Sequence, residues 1–282
     1  MPTISTSAGS VAYDSRGNGD PIVLLPGGGH DQHDYDEVRD LLPSRLRSIG
    51  VDWPGHGQSP AGTAPATELR LAQIVEELLD SLTPNGAVLV GNSVGGNVAA
   101  RLAIRRPGLV KGLVIIDGGG FEGSGQLAGR VFCALMSRPG FVRRVYPLFS
   151  QAYTRPRTAA DHRSRASAIA TTRSATGVKA VTDIWRSFRL PEHDLRAQAG
   201  RITAPTVLIW GRHDPVLPPA AGETARDLIA GSRLVVIESG HLPHTTDPAA
   251  VAAELIKVAN AAFASDSQTP DAQHAGPAKN EQ

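Results

Sequence analysis

The chain has 282 residues, with 28 Lys and Arg against 27 Asp and Glu, so its formal net charge at pH 7 is +1. This balance argues against a dedicated nucleic-acid-binding protein, which normally carries a strong basic excess, and against an acidic disordered protein. The 30 Gly and 21 Pro exceed average usage but stay below the disordered range, which predicts a folded protein with many tight turns. One cysteine, Cys133, excludes an internal disulfide, and no Cys and His cluster has zinc-finger spacing, so we expect no metal and no cofactor.

The N-terminal segment and the apolar runs bear on location. Residues 1–20 lack the basic and apolar regions of a secretory signal peptide. No apolar run approaches the roughly 18 residues that a membrane span needs. We therefore expect a cytoplasmic protein without stable membrane insertion. The sequence leaves the oligomeric state open.

Short apolar runs followed by turns recur along the chain, at residues 22–25, 87–90, 113–116, 207–210 and 234–237. Each run is apolar throughout instead of alternating, which is typical of strands covered on both faces of a parallel sheet. Helical segments lie between most of them, and the clearest covers residues 69–82, where the leucines, isoleucine and valine follow the spacing of one helix face. This alternation predicts an α/β fold with right-handed crossovers.

The alternation breaks at residues 121–196, where we expect helical pieces interrupted by prolines. We interpret this inserted segment as a lid or cap, residues 1–120 and 197–264 as the core domain, and the polar residues 265–282 as a disordered tail. The inserted segment has 13 Arg and Lys against five Asp and Glu, a net charge of +8, which leaves −7 elsewhere. Two readings are open: a solvated basic face, or arginines that face the cleft and bind a carboxylate or phosphate of the substrate.

A Gly-x-Ser-x-Gly sequence follows the run at 87–90 and precedes a helix-compatible stretch. It reads Gly91-Asn92-Ser93-Val94-Gly95. Such a strand-to-helix turn is strained and lacks room for flanking side chains, and it exposes the serine hydroxyl at a helix N-terminus. Ser93 is therefore the candidate nucleophile.

A serine nucleophile needs a base and a carboxylate that orients the base. Asp214 follows the run at 207–210, and His241 follows the run at 234–237. Because functional residues gather at the carboxyl ends of parallel strands, we expect these two side chains to lie beside Ser93. Asp117 also follows a strand and is the alternative acid.

The reaction also needs two backbone N–H groups that stabilise the oxyanion. We expect one from Val94, directly after the nucleophile, and the other from the glycine-rich turn at 26–29, with Gly28 preferred and Gly29 as the alternative. Asn92 and Leu242 are further candidates for the oxyanion hole or the pocket wall.

These motifs together resemble the α/β-hydrolase superfamily, in its serine esterase and lipase branch, over about residues 10–264. The matching segments are PGGG at 26–29, DWPGHGQS at 52–59, GNSVGG at 91–96, WGRHDPVLP at 210–218 and SGHLPH at 239–244. The resemblance implies an α/β-hydrolase fold, with a mostly parallel central sheet flanked by helices and an inserted helical cap. It carries the family's nucleophile to Ser93, its acid to Asp214 and its base to His241. One departure is Pro26-Gly27, where many relatives have His-Gly.

Serine at position 93 separates this chain from the dehalogenases and epoxide hydrolases of similar fold, which attack with a carboxylate. We expect a cofactor-independent serine hydrolase that cleaves a carboxylic ester, or a related lactone or thioester, through an acyl-enzyme. One alternative is a carbon–carbon bond hydrolase of the meta-cleavage-product type. Those enzymes have a similar GNSMGG turn but usually a tryptophan directly after the catalytic histidine, where this chain has Leu242. The other alternative is a non-enzymatic small-molecule binding protein on the same fold.

Overall fold

The computed structural model describes residues 1–123 and 127–264, and the tail predicted at 265–282 lies outside this part of the chain. The strands are β1 (Thr3–Thr6), β2 (Gly9–Arg16), β3 (Asp20–Leu25), β4 (Leu46–Val51), β5 (Ala87–Asn92), β6 (Val110–Ile116), β7 (Thr206–Gly211) and β8 (Arg233–Ile237). They form one sheet in the order β1-β2-β4-β3-β5-β6-β7-β8. All neighbouring pairs from β4 to β8 are parallel, and β1 and β2 pair antiparallel at one edge. The predicted mostly parallel sheet is confirmed, with the five apolar runs in β3, β5, β6, β7 and β8.

The helices are α1 (Asp36–Asp40), α2 (Glu68–Leu82), α3 (Val94–Arg105), α4 (Leu127–Met136), α5 (Pro139–Thr154), α6 (Ala159–Arg173), α7 (Ala175–Ser187), α8 (Pro219–Leu228), α9 (Pro243–Thr246) and α10 (Pro248–Phe263). The helix predicted at 69–82 is confirmed as α2, and the Thr67 side chain caps it by accepting from the Arg70 N–H. One apolar core packs α2, α3 and α8 on one face of the sheet, and a second packs α1 and α10 on the other. This burial on both faces explains the uninterrupted apolar runs of the central strands β3, β5, β6 and β7.

Four helices, α4 to α7, lie between β6 and β7, within the inserted segment 121–196. They form their own apolar cluster, which includes Tyr146, Tyr153, Trp185 and Leu242 of the loop after β8. The segment is therefore helical and joined to the rest of the molecule through that loop, while its boundaries and its role as a cap stay predictions. In the described ranges, no helix combines the length and the apolar character needed to cross a membrane.

Candidate active site

Ser93 occupies a strained turn between β5 and α3. Its backbone has φ 55° and ψ −116°, a left-handed φ that is costly for a residue with a side chain. A Cβ at Gly91 would lie 2.1 Å from the Gly95 carbonyl oxygen, and one at Gly95 would lie 2.3 Å from the Leu25 carbonyl oxygen. The Ser93 N–H donates to the Ile116 carbonyl on β6 at 3.0 Å, which holds the turn against the sheet. Side chains at positions 91 and 95 would clash with the backbone, so both positions require glycine. The hydrogen bond to β6 holds the strained turn in place.

His241 and Asp214 meet after β8 and β7. His241 Nδ1 lies 2.6 Å from Asp214 Oδ2, and both residues are buried. The other oxygen, Asp214 Oδ1, accepts the backbone N–H groups of Val216 at 2.7 Å and Leu217 at 3.2 Å. Since the carboxylate can only accept, the imidazole hydrogen sits on Nδ1 and the lone pair of Nε2 is available as a base.

The main chain of His241 is held from two sides. Its N–H donates to the Tyr153 carbonyl at the end of α5, at 2.8 Å. Its carbonyl accepts from the side-chain amide of Asn92 at 3.0 Å, and the same amide donates to the Ile116 carbonyl at 3.2 Å. The side-chain amide of Asn92 thus donates to two backbone carbonyls. It positions the loop that carries His241 and has no hydrogen left to donate to an oxyanion.

Asp117, the alternative acid, is fully buried next to Asp214 with a φ of 42°. Its Oδ1 accepts from the Gly211 N–H at 2.9 Å. Burial and the negative charge of Asp214 raise the pKa of Asp117 well above its usual range. Two carboxylates this close do not both ionise at moderate cost, so this arrangement favours the protonated form of Asp117.

Asp117, Asp214 and His241 also form the one group of potential metal ligands among residues 1–123 and 127–264, with ligand atoms within 4.8 Å of one another. Both oxygens of Asp214 and Nδ1 of His241 are already engaged in the hydrogen bonds described above. This donor set fits a hydrogen-bonded network better than a cation.

The glycine-rich turn after β3 is fixed by two aromatic side chains. The Gly29 N–H donates to His56 Nε2 at 3.0 Å, and Trp53 Nε1 donates to the Pro26 carbonyl at 2.8 Å. Burial lowers the pKa of His56 to about 4, so its ring is neutral at pH 7 and accepts this bond. Because the Gly29 N–H is occupied, Gly28 is the better candidate for an oxyanion donor.

Two tyrosines of α5 form hydrogen bonds with the glycine-rich turn and with the histidine that follows it. The hydroxyl of Tyr153 lies 2.8 Å from His30 Nε2 and 3.1 Å from the hydroxyl of Tyr146, which donates to the Gly28 carbonyl at 3.4 Å. His30 Nδ1 in turn lies 2.7 Å from Asp34 Oδ2. No motif marks the two tyrosines in the sequence, and their aromatic character within the inserted segment is the only available signal.

Ser93 lines two spaces. The first is a narrow one of about 30 Å³, which it shares with Gly28, Asn92 and His241. The second is a cavity of about 510 Å³ that reaches between the sheet and the inserted segment. Val94 lines this cavity, whereas Leu242 is fully buried in the apolar cluster of the inserted segment and lines neither space. The fold thus brings Ser93 and His241 to the same narrow space and leaves Leu242 outside both spaces.

One wall of the 510 Å³ cavity carries His193, which the sequence did not single out. Its Nδ1 lies 2.9 Å from Glu68 Oε1 and its Nε2 lies 2.6 Å from Glu122 Oε1. Burial alone lowers the pKa of His193, but the hydrogen bonds and the charges of the two carboxylates outweigh burial and raise the pKa to about 10. His193 is therefore an imidazolium at neutral pH, and it joins the start of α2 to the segment after β6.

Comparisons with known proteins agree with this architecture. The sequence model of the alpha/beta hydrolase family matches residues 22–254. A pimeloyl-[acyl-carrier protein] methyl ester esterase from Nitrosomonas europaea is 27% identical over 264 residues, covering 85% of this chain and 95% of that protein. A 2-hydroxy-6-oxononadienedioate/2-hydroxy-6-oxononatrienedioate hydrolase from Pseudomonas sp is 26% identical over 237 residues, covering 74% and 77% of the two chains. The crystal structure of a hydrolase from Pseudomonas aeruginosa PA01 is 28% identical with a TM-score of 0.78, covering 91% of this chain and 97% of that one. The chain belongs to the alpha/beta hydrolase family.

Proposed function

We propose that the protein is a serine hydrolase that cleaves a carboxylic ester, or a related lactone or thioester, through an acyl-enzyme. One observation carries the proposal: Ser93, on its strained turn, shares a narrow space with His241, whose Nδ1 lies 2.6 Å from Asp214. A nucleophile, a base and a carboxylate that orients the base are what acyl transfer needs. We assign these three roles to Ser93, His241 and Asp214.

In the first half of the reaction, Ser93 Oγ attacks the substrate carbonyl carbon while His241 Nε2 takes the hydroxyl proton. The charge that forms on the imidazole is stabilised by Asp214. The charge that forms on the carbonyl oxygen is stabilised by the backbone N–H groups of Val94 and Gly28. The carbon–oxygen bond to the leaving alcohol then breaks, His241 Nε2 gives its proton to that oxygen, and the acyl group stays on Ser93.

In the second half, water replaces the alcohol. His241 Nε2 takes a proton from the water, whose oxygen attacks the acyl carbon, and the same proton returns to Ser93 Oγ as the acid is released. The Nδ1 hydrogen stays bonded to Asp214 throughout. The raised pKa of Asp117 supports Asp214 over Asp117 as the acid of this set, because burial and the neighbouring carboxylate disfavour a charge on Asp117.

The test uses a fluorophosphonate probe, which labels an activated serine covalently. Wild-type protein should be labelled and should hydrolyse p-nitrophenyl esters, and Ser93→Ala should abolish both. Ser44→Ala, at an exposed serine away from the site, is the matched control and should leave both unchanged. Labelling that persists in Ser93→Ala would mean that the nucleophile is misassigned. Ligand binding without any labelling of the wild type would favour a non-enzymatic binding protein.

A second candidate is hydrolysis of a carbon–carbon bond in a vinylogous diketone. It is supported by the GNSVGG turn at 91–96 and by the similarity to the Pseudomonas dienedioate hydrolase. Leu242, at the position where such enzymes usually carry tryptophan, lies outside the two spaces beside Ser93 and weighs against it. Turnover of a dienol substrate with negligible turnover of esters would favour this candidate.

A further inference from the structure

Three of the 13 basic side chains of the inserted segment line the 510 Å³ cavity beside Ser93, namely Arg130, Arg189 and Arg196. We propose that Arg130 and Arg189 form a binding site for a carboxylate at the far end of the substrate, which makes monoesters of dicarboxylic acids the preferred class. This inference rests on the proposed ester hydrolysis at Ser93. It assigns anion binding to two particular guanidinium groups and not to the net positive charge of the inserted segment as a whole.

The other charged groups on this wall already have partners. Arg196 is paired with Asp194, at 2.9 Å from Nε to Oδ1 and 2.6 Å from Nη2 to Oδ2. The imidazolium of His193 is bonded to Glu122, which also lines the cavity, and to Glu68 behind it. Within the described ranges, no carboxylate forms an ion pair with Arg130 or Arg189, and both residues are exposed. These two cations therefore remain available to an anionic ligand.

The wall of this cavity is mostly apolar. Its apolar side chains include Val94, Trp185, Phe188, Val216 and Leu217. An aliphatic chain would bury its methylene groups favourably against such a wall. A guanidinium offers two parallel N–H donors that match a carboxylate, and a cleft bordered by low-dielectric walls strengthens the field of its charges. The cavity thus fits an apolar chain with an anion at its end.

The carboxylate belongs on the acyl side of the ester. The leaving alcohol departs after the first half of the reaction, whereas the acyl group stays attached to Ser93 until water releases it. An anchor on the acyl chain therefore orients the substrate in both halves, and binding energy from this remote contact serves acylation and deacylation alike.

The experiment compares two substrates that differ in one charge: p-nitrophenyl hydrogen adipate and its neutral methyl ester. The readout is the ratio of their kcat/KM values, measured for wild type, Arg130→Gln, Arg189→Gln and the double variant. We expect each single variant to lower the charged-to-neutral ratio about fivefold, as the loss of a partly exposed charge pair does, and the double variant to lower it further. Turnover of the neutral ester should stay within about twofold of wild type, since neither arginine contacts the reacting atoms.

Arg143→Gln is the matched control, because Arg143 is an exposed arginine of α5 outside the cavity wall. We expect it to leave the ratio unchanged. If the double variant keeps the wild-type ratio, or if Arg143→Gln lowers the ratio as much as Arg189→Gln does, the two-arginine site is refuted.

Failure of the proposed ester hydrolysis has a different signature: the wild type would turn over neither adipate ester and would not be labelled at Ser93. The anion site is still decided in that case by titration calorimetry with adipate itself. We expect the Arg130→Gln/Arg189→Gln protein to bind adipate at least about tenfold more weakly than the wild type. Equal affinity would refute the site whatever the reaction.

Discussion

Replacement of His193 by glutamine tests the electrostatic account of the cavity wall. The imidazole lies within 3 Å of carboxylate oxygens of Glu68 and Glu122, and its pKa is raised from 6.5 to about 10. Since one pKa unit corresponds to about 1.36 kcal/mol, this rise sets an upper bound of roughly 5 kcal/mol on the stability that the protonated ring contributes. His193→Gln removes the charge and leaves two carboxylates facing a neutral amide, so we expect it to lower the free energy of unfolding by about 3 to 4 kcal/mol at pH 6.

The pH dependence carries a definite sign. A group whose folded-state pKa is raised stabilises the protein fully below its unfolded pKa, here 6.5, and this contribution is lost as the pH rises toward about 10. The wild type should therefore lose stability between pH 6.5 and 10 relative to His193→Gln, and the two curves should approach each other near pH 10. Urea unfolding followed by tryptophan fluorescence from pH 6 to 10 measures both curves.

His33→Gln is the control for this experiment. The His33 side chain is 58% exposed and is paired with Asp36 at the surface, so its loss should cost less than about 1 kcal/mol. If His193→Gln costs no more than His33→Gln at pH 6, or if it keeps the full pH dependence of the wild type, then His193 is not held as a cation.

Other substitutions test the turns around Ser93. Gly95→Ala should destabilise the fold by about 3 kcal/mol in thermal or urea unfolding because its Cβ meets backbone atoms, whereas Gly108→Ala, with no atom within 4 Å of the new Cβ, should stay within about 0.5 kcal/mol. His56→Leu removes the acceptor of the Gly29 N–H and should cost about 1 to 3 kcal/mol and lower kcat for esters more than it raises KM, with exposed His162→Leu unchanged. Asp117→Asn should gain stability relative to wild type as the pH rises above about 4, since the raised pKa of Asp117 costs the wild type stability there; a difference that does not vary with pH would contradict this.

The central strands could be predicted because burial on both faces makes them apolar without interruption, as in β5 and β7. The strands β1, β2 and β4 were missed for the opposite reason. The burial of β1 and β2 varies along each strand because they form the antiparallel edge, and β4 contains Arg47 and Ser48. The antiparallel strands at the β1 edge therefore lack a continuous apolar run, and in the interior strand β4 the charged and polar residues interrupt it.

The residues of the candidate site likewise fall into those that local sequence predicts and those that it does not. Ser93, Asp214 and His241 each follow a predicted strand, so local sequence was enough to propose them. Tyr153 and His193 act through contacts with residues more than 100 positions away, such as His30 and Glu68, and no local pattern encodes such pairs. The charge of the inserted segment could be counted from the sequence, but which arginines line the cavity depends on how four helices pack.

The bond between the His241 N–H and the Tyr153 carbonyl bears on how a substrate can enter. The start of α6 is fastened to the same region, because Thr158 Oγ1 donates to the Thr245 carbonyl at 3.1 Å and Asp161 Oδ1 accepts from the Thr245 hydroxyl at 2.6 Å. A displacement of the α5–α6 junction relative to the sheet would therefore pull the proposed base away from Ser93. The α5–α6 junction is therefore fixed to the loop that carries His241, and any motion of the inserted segment that keeps His241 beside Ser93 has to leave this junction in place.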